Sequence, residues 1–168
     1  MIRWTIAAGE EDRELGARWI CSNEEELGVP YSWVTVMSSL IYPMEDNGFM
    51  IGRDREGRMA AAIAYTLGTL EDKYADRSRV EVHLLFFERR MRHGRPLLKT
   101  MRMLADHLMD VPAGVREVVF FARVSESGRK FYGKFAEWKY TSEQPCGRLD
   151  FYGTTPERLL EYADRCRT

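Results

Sequence analysis

Arg79-Val80-Glu81-Val82-His83-Leu84-Leu85-Phe86-Phe87, followed by Glu88-Arg89-Arg90-Met91-Arg92-His93-Gly94-Arg95-Pro96, decides how this 168-residue sequence is read. Residues 79–87 alternate between apolar and polar and then turn wholly apolar. That pattern predicts a strand near the centre of a sheet, its far end buried on both faces. A short loop follows, and Pro96 opens a helix near its first position. Leu97, Leu98, Met101, Leu104, Ala105 and Leu108 form one apolar stripe along it. Residues 115–124 (VREVVFFARV) then read as another buried strand. A strand–helix–strand unit of this kind crosses over with a right hand.

The loop and helix start carry an electrostatic conflict. A helix N-terminus has unpaired N–H groups and the positive end of the macrodipole, so it favours acids or bound anions. Here Arg89, Arg90, Arg92, Arg95, Lys99 and Arg102 crowd it, with no acid between Arg89 and Met103. An anion, a phosphate above all, would offset that charge, and Gly94 would let one approach the backbone. A solvated basic helix face is the plainer alternative. A nucleic-acid patch is disfavoured, because no aromatic residues interleave with the cations.

Outward from this unit, Trp4–Ala7 reads as a first strand and residues 10–26 as a helix closed by Gly28 and Pro30. A second helix spans about 32–41, with Trp33, Val36, Met37, Leu40 and Ile41 on one buried face and Pro43 as its stop. Phe49–Gly52 and Met59–Leu67 flank Asp54-Arg55-Glu56-Gly57 as an antiparallel hairpin, and residues 71–76 form an acidic surface loop. Further on, residues 127–135 read as a helix, and 138–141 and 149–152 as short strands. A last helix begins with Thr155 as N-cap, Pro156 at the first position and Glu157 in the first turn.

Composition is that of a soluble globular chain, 45% hydrophobic and 30% charged, and no linker or repeat divides it. A single domain over 1–168 is expected. Its three cysteines, Cys21, Cys146 and Cys166, have no metal-site or disulfide spacing, so no metal is expected and a reducing, cytoplasmic setting fits. The N-terminal residues turn acidic too early for a signal peptide, and no apolar run reaches the ~20 residues a membrane helix needs. Nine Lys and Arg face sixteen Asp and Glu before residue 89; from residue 89 onward, sixteen face ten. A basic second half suits a polyanionic ligand, although charge also varies along any chain.

The loop resembles the pyrophosphate motif of the GNAT N-acetyltransferases, R/Q-x-x-G-x-G/A, which lies between the family's fourth strand and the next helix. Arg89 and Gly94 match its first and last positions, while Arg92 replaces the middle glycine; Leu97 and Leu98 fit the leucine pair that follows. Ser125 to Trp138 is similar to a second family pattern, N-x-x-A-x-x-F-Y-x-K-x-G-F. Phe131, Tyr132 and Lys134 match, whereas Ser125, Gly128 and Ala136 replace Asn, Ala and Gly, and one residue is added before Trp138.

The resemblance implies an α/β fold with a mixed, mostly antiparallel sheet, a central β-α-β unit, flanking helices and a C-terminal helix. Residues 1–153 would be the core and 154–168 an extension. It implies acetyl-CoA as co-substrate and direct acetyl transfer to an amine, on a small molecule or a protein; many members are homodimers. Leu84, Leu85, Phe86 and Phe87 would hold the pantetheine arm. Arg89, Arg90, Met91, Arg92, His93, Gly94 and Arg95 would hold the pyrophosphate, with Arg92 adding a contact of its own, and Ser125 would also touch the cofactor. Tyr132 would be the general acid. Glu81 and His83 share a strand face and are the candidate bases, His83 as a group titrating near neutrality. Each has a plainer alternative, a half-buried Tyr132 and a buried, hydrogen-bonded His83. Tyr31, Trp33, Tyr42, Glu45, Asp46, Glu71, Asp72 and Asp76 fall where the family builds its acceptor pocket, though a solvated acidic face with Trp33 in the core explains them as well. A non-catalytic coenzyme A-binding or regulatory domain stays open beside the enzyme.

Overall fold

The computed structural model describes residues 2–27 and 32–166. Gly28, Pro30 and Tyr31 lie outside the described residues. The strands are β1 (Arg3–Ile6), β2 (Phe49–Arg53), β3 (Met59–Leu67), β4 (Arg79–Phe87), β5 (Glu117–Arg123), β6 (Glu137–Gln144) and β7 (Gly147–Thr154). The helices are α1 (Glu10–Cys21), α2 (Trp33–Glu45), α3 (Gly94–Met109), α4 (Glu126–Tyr132) and α5 (Pro156–Arg165). The strands form one mixed, mostly antiparallel sheet in the order β1-β2-β3-β4-β5-β7-β6, with β4 fourth of seven, as its apolar pattern predicts. Contacts divide the chain into two compact units.

The first unit comprises Met1–Thr66 and Val82–His93. β1 and β2 pair antiparallel from Arg3↔Arg53 to Ile6↔Met50, and β2 and β3 from Phe49↔Ala64 to Arg53↔Met59. Gly57 takes a positive φ of 80° in the hairpin turn, where its N–H donates to the Asp54 carbonyl at 3.2 Å. Ala60, Ala61, Ala62 and Ala64 are all wholly buried. The core joins Ile20 of α1, Val36 and Leu40 of α2, Phe49 and Ile51 of β2, and Leu84 and Phe86 of β4.

Both helices of this unit differ from the sequence reading. α1 stops at Cys21, and Glu24–Glu26 forms a 3-10 turn instead. The Asn23 side chain donates to the Trp19 carbonyl at 2.7 Å and takes up a carbonyl at the helix end. α2 runs through Pro43 to Glu45. The proline lies in the last turn, where the carbonyls of Tyr42 and Pro43 accept from Asp46 and Gly48 at 3.2 and 2.7 Å. Burial of its ring also offsets the missing donor. The buried stripe of α2 is Val36, Leu40 and Pro43, whereas Trp33, Met37 and Ile41 are exposed.

The second unit comprises Leu67–Glu81 and Gly94–Thr168. β7 pairs antiparallel with both β5 (Val118↔Thr154 to Arg123↔Leu149) and β6 (Glu137↔Gly153 to Gln144↔Gly147). Mutual pairing makes β6 and β7 longer than their apolar cores suggest. α4 is shorter than expected, ending at Tyr132 with Gly133 as its cap. α3 buries Met101, Leu104, Ala105 and Leu108, and α5, which buries Pro156, Leu159 and Ala163, packs against it. The Thr155 side chain accepts from the Arg158 N–H at 3.2 Å, which is the cap read from sequence.

A Cβ at Gly48 would overlap the Tyr65 carbonyl oxygen, and the Tyr65 N–H donates to the Gly48 carbonyl at 2.9 Å. Gly48→Ala must therefore push two paired strands apart. Urea unfolding should show a loss of about 1–3 kcal/mol, and unchanged stability would contradict this packing.

Candidate active site

In the first unit the end of β4 runs into the loop with Leu84, Phe86 and Phe87 buried and Leu85 exposed. The prediction of burial on both faces fails at Leu85. The Glu88 N–H donates to the Ala60 carbonyl at 2.8 Å and ends the strand in register with its neighbour. Arg89–Met91 then tighten into a 3-10 turn. The N–H groups of Met91, Arg92 and His93 donate to the carbonyls of Glu88, Arg89 and Met91 at 2.7, 3.3 and 2.9 Å. Those amides are used within the loop. α3 begins at Gly94, two residues before Pro96, and the N–H groups of Gly94 and Arg95 donate to none of the described residues. A Cβ at Gly94 would meet nothing within 4 Å, so the protein itself does not require glycine there.

Three of the six cations in the basic cluster, Arg90, Arg92 and Arg102, are compensated by acids. Arg90 bridges Asp54 at 2.5 Å and Glu88 at 2.6 Å. Asp54 also accepts from the N–H groups of Glu56 and Arg58, both at 2.9 Å. Burial pushes the Asp54 carboxyl up, but hydrogen bonds from the Arg58 amide and the Arg90 and Arg58 guanidinium groups outweigh it and hold it well below the usual range. Arg92 folds back as a bolt. It donates to the Phe87 carbonyl and the Glu26 carboxylate, both at 2.8 Å, and lies 5.0 Å over the Phe86 ring. At φ −80° it occupies an ordinary backbone conformation, so no glycine is needed at this position. Its guanidinium is bound to protein groups, contrary to the expected phosphate contact. In the second unit Arg102 pairs with Asp164 at 2.6 Å. Arg89, Arg95 and Lys99 make no ion pair among the described residues.

His83 does not titrate near neutrality. Burial lowers it to about 4, and its Nε2 lies 2.9 Å from the Thr66 hydroxyl. It borders a small apolar cavity lined by Ile20, Leu27, Val36, Leu40 and Leu84. Glu81, in the second unit, is pushed up by burial and partly drawn back by the Leu70 N–H and the Arg79 charge. Trp33 and Tyr42 are exposed on α2, which removes Trp33 from the core. Asp72 and Asp76 are spent on their own loop: Asp72 accepts from Thr69 and Asp76 amides at 3.3 and 3.1 Å, and Asp76 from the Ser78 amide at 3.0 Å. Glu71 pairs with Arg79 at 3.7 Å.

Tyr132 is the last residue of α4. Its ring lies 5.4 Å from Phe120 and 5.1 Å from Tyr152, and burial raises its hydroxyl above the usual range. The hydroxyl has no hydrogen-bond partner among the described residues. The Ser125 side chain caps α4 by accepting from the Gly128 N–H at 3.0 Å, and a Cβ at Gly128 would come within 2.6 Å of it. Asp150 escaped the sequence reading. Wholly buried, it accepts from Arg129, Thr141 and Trp138. Its signal was a lone carboxylate between Leu149 and Phe151 in an apolar strand.

Neither a protein-family model nor a curated protein matches the sequence. Solved structures do match the fold. The aminoglycoside acetyltransferase AAC(6')-Ib, in complex with coenzyme A and kanamycin, is 15% identical with a TM-score of 0.64, and the alignment covers 100% of both chains. Ard1 from Thermoplasma volcanium is 14% identical with a TM-score of 0.61, over 91% of this chain and 95% of that one. A GNAT-family acetyltransferase from Listeria monocytogenes is 15% identical with a TM-score of 0.57, over 91% and 94%. The chain has the GNAT acetyltransferase fold. In this GNAT fold, β4, the 3-10 loop and α3 follow one another in the order expected from the sequence motif. Among the described residues no three His, Cys, Asp or Glu side chains converge on a metal position, and no helix is long and apolar enough to cross a membrane.

The state of His83 is testable by pH. Its folded value of about 4 lies below the ordinary 6.5, so its contribution to stability is complete above 6.5 and is lost as pH falls toward 4. Between about pH 7.5 and 5 the native protein should lose roughly 2 kcal/mol more than His83→Gln in urea unfolding. Equal losses would show that His83 is not held neutral by burial.

Proposed function

We propose that this protein is an acetyl-CoA-dependent N-acetyltransferase that passes an acetyl group directly to an amine. The observation that carries this reading is the head of α3. Arg95 and Lys99 add positive charge to a helix N-terminus, Arg89 precedes it, and the amides of Gly94 and Arg95 are open. An open Gly94 leaves room for a diphosphate against the backbone. Arg90 and Arg92 serve instead to brace the loop.

When bound, acetyl-CoA supplies the acetyl group as an activated thioester. Arg89, Arg95, Lys99 and the first amides of α3 hold the pyrophosphate, and backbone groups over Leu84–Phe87 hold the pantetheine arm and polarise the carbonyl. The amine nitrogen bonds to the carbonyl carbon as the carbon–sulfur bond breaks. Tyr132, kept protonated by burial, gives its proton to the departing thiolate. His83, lowered to about 4, is a weak base near neutrality, whereas burial raises Glu81 and so strengthens it as a base. The amine's proton passes to Glu81 or to water, and Tyr132 recovers its own proton from solvent. AAC(6')-Ib binds kanamycin, and by analogy the acceptor here is a small-molecule amine, with a protein amine as the alternative.

Arg92 in place of the motif's middle glycine, tied to Phe87 and Glu26, supports a second reading: a coenzyme A-binding domain without turnover. Calorimetric titration with acetyl-CoA, followed by thiol release over an amine panel, separates the two. Binding with turnover supports the enzyme, binding alone the regulatory domain, and no binding removes both.

Arg89→Ala should weaken acetyl-CoA binding roughly tenfold or more through loss of charge-assisted hydrogen bonds. Gly94→Asp should abolish binding with thermal stability unchanged or raised, because space is open there and an acid suits the helix N-terminus. Unchanged affinity in both variants would sink the assignment. Tyr132→Phe should lower kcat by about a hundredfold while leaving the dissociation constant within twofold; normal turnover would remove Tyr132 from the chemistry.

A further inference from the structure

α4 is seven residues long and has no fully buried residue. A helix that short does not hold its orientation by propensity, and hydrophobic packing anchors it only through its rings. What grips it is Asp150. Arg129 offers Nε to Oδ2 at 2.7 Å and Nη2 to Oδ1 at 2.8 Å, a fork-to-fork pair. The Thr141 hydroxyl and the Trp138 Nε1 donate to Oδ1 at 2.6 and 3.0 Å, and Arg129 lies 5.7 Å over the Trp138 ring. These bonds hold the carboxyl well below its usual range, Arg129 contributing most.

Arg129 and Tyr132 are three residues apart on α4 and therefore share a face. Asp150 stands two residues before Tyr152 on β7 and so shares its face, and the buried Tyr152 ring is 5.1 Å from that of Tyr132. One buried carboxylate thus holds the helix that carries Tyr132, on the strand whose Tyr152 ring Tyr132 packs against. An apolar pair would anchor α4 at lower desolvation cost, but it would lack the directionality of four donors on two oxygens.

We infer that Asp150 and Arg129 are positioning residues for Tyr132, fixing the angle of α4 so that the phenol stays in place. This rests on the acetyltransferase reading above, in which Tyr132 is the proton donor. Arg129→Lys keeps the charge and removes the fork. With acetyl-CoA affinity unchanged within twofold, it should lower kcat about tenfold or more. In a Tyr132→Phe background the same substitution should change kcat less than twofold, because there is no longer a phenol to misplace. An equal loss in both backgrounds would reveal a purely structural role and overturn the inference.

A second readout does not depend on activity. In protein labelled with 3-fluorotyrosine, the Tyr132 fluorine resonance, assigned by its loss in Tyr132→Phe, should shift or broaden in Arg129→Lys. The Tyr65 resonance, in the other unit, should not move. An unmoved Tyr132 resonance would overturn the inference even if no amine is turned over. Absence of acetyl-CoA binding in the unaltered protein would sink the acetyltransferase reading alone. If Arg129→Lys does not fold, Thr141→Val, which removes one donor to Asp150 and keeps the ion pair, replaces it with the same expected outcomes.

Discussion

The positive charge at the head of α3 is the constraint on which the rest of this molecule turns. A sixteen-residue helix begins there with free amides, and its first turns carry Arg95 and Lys99 but no acid. Like charges so placed repel one another and the helix dipole. Part of the surrounding charge is cancelled: Asp54, remote in the chain, and the neighbouring Glu88 take Arg90, Glu26 takes Arg92, and Asp164 takes Arg102. What is left over is Arg89 in the first unit and, in the second, Arg95 and Lys99 in the first turns of α3, whose opening amides are unused. The paired arginines shape the loop, and the unpaired cations are those to which the proposed function assigns the anion.

The two units solve the burial of polar groups differently. In the first, Asp54 is covered by its own hairpin turn and by the half-exposed Arg90, and Arg92 reaches back over Phe86. In the second, a carboxylate is taken fully inside at Asp150 and saturated with donors. Burying a charge in this way adds little net stability, since desolvation consumes most of the gain. Its benefit is directional, and the element it orients is the short helix ending in Tyr132.

Where the sequence was misread, the cause lay in contacts remote along the chain. The spacing of Trp33, Met37 and Ile41 with Val36 and Leu40 describes an apolar helix face wider than the one the core covers. Pro43 would stop an isolated helix, yet here it sits in the last turn, where only one donor is lost and its ring is buried. His83 carries no local sign of its depressed titration, because that depends on how many atoms crowd the ring after folding. Asp72 and Asp76, plausible as acceptor-facing acids, turn out to build their own loop.

The sequence by itself determined the element order, the central place of β4, the cap and proline that start α5, and the concentration of positive charge after residue 88. These depend on periodicity, turn residues and local charge, which are properties of neighbouring residues. Only the tertiary structure decided which arginines are spent and which are left, that Arg92 bolts the loop to Glu26, and that Asp150 lies wholly buried beneath Arg129. Charge compensation and desolvation act between groups tens of residues apart in the chain, and no local pattern encodes them.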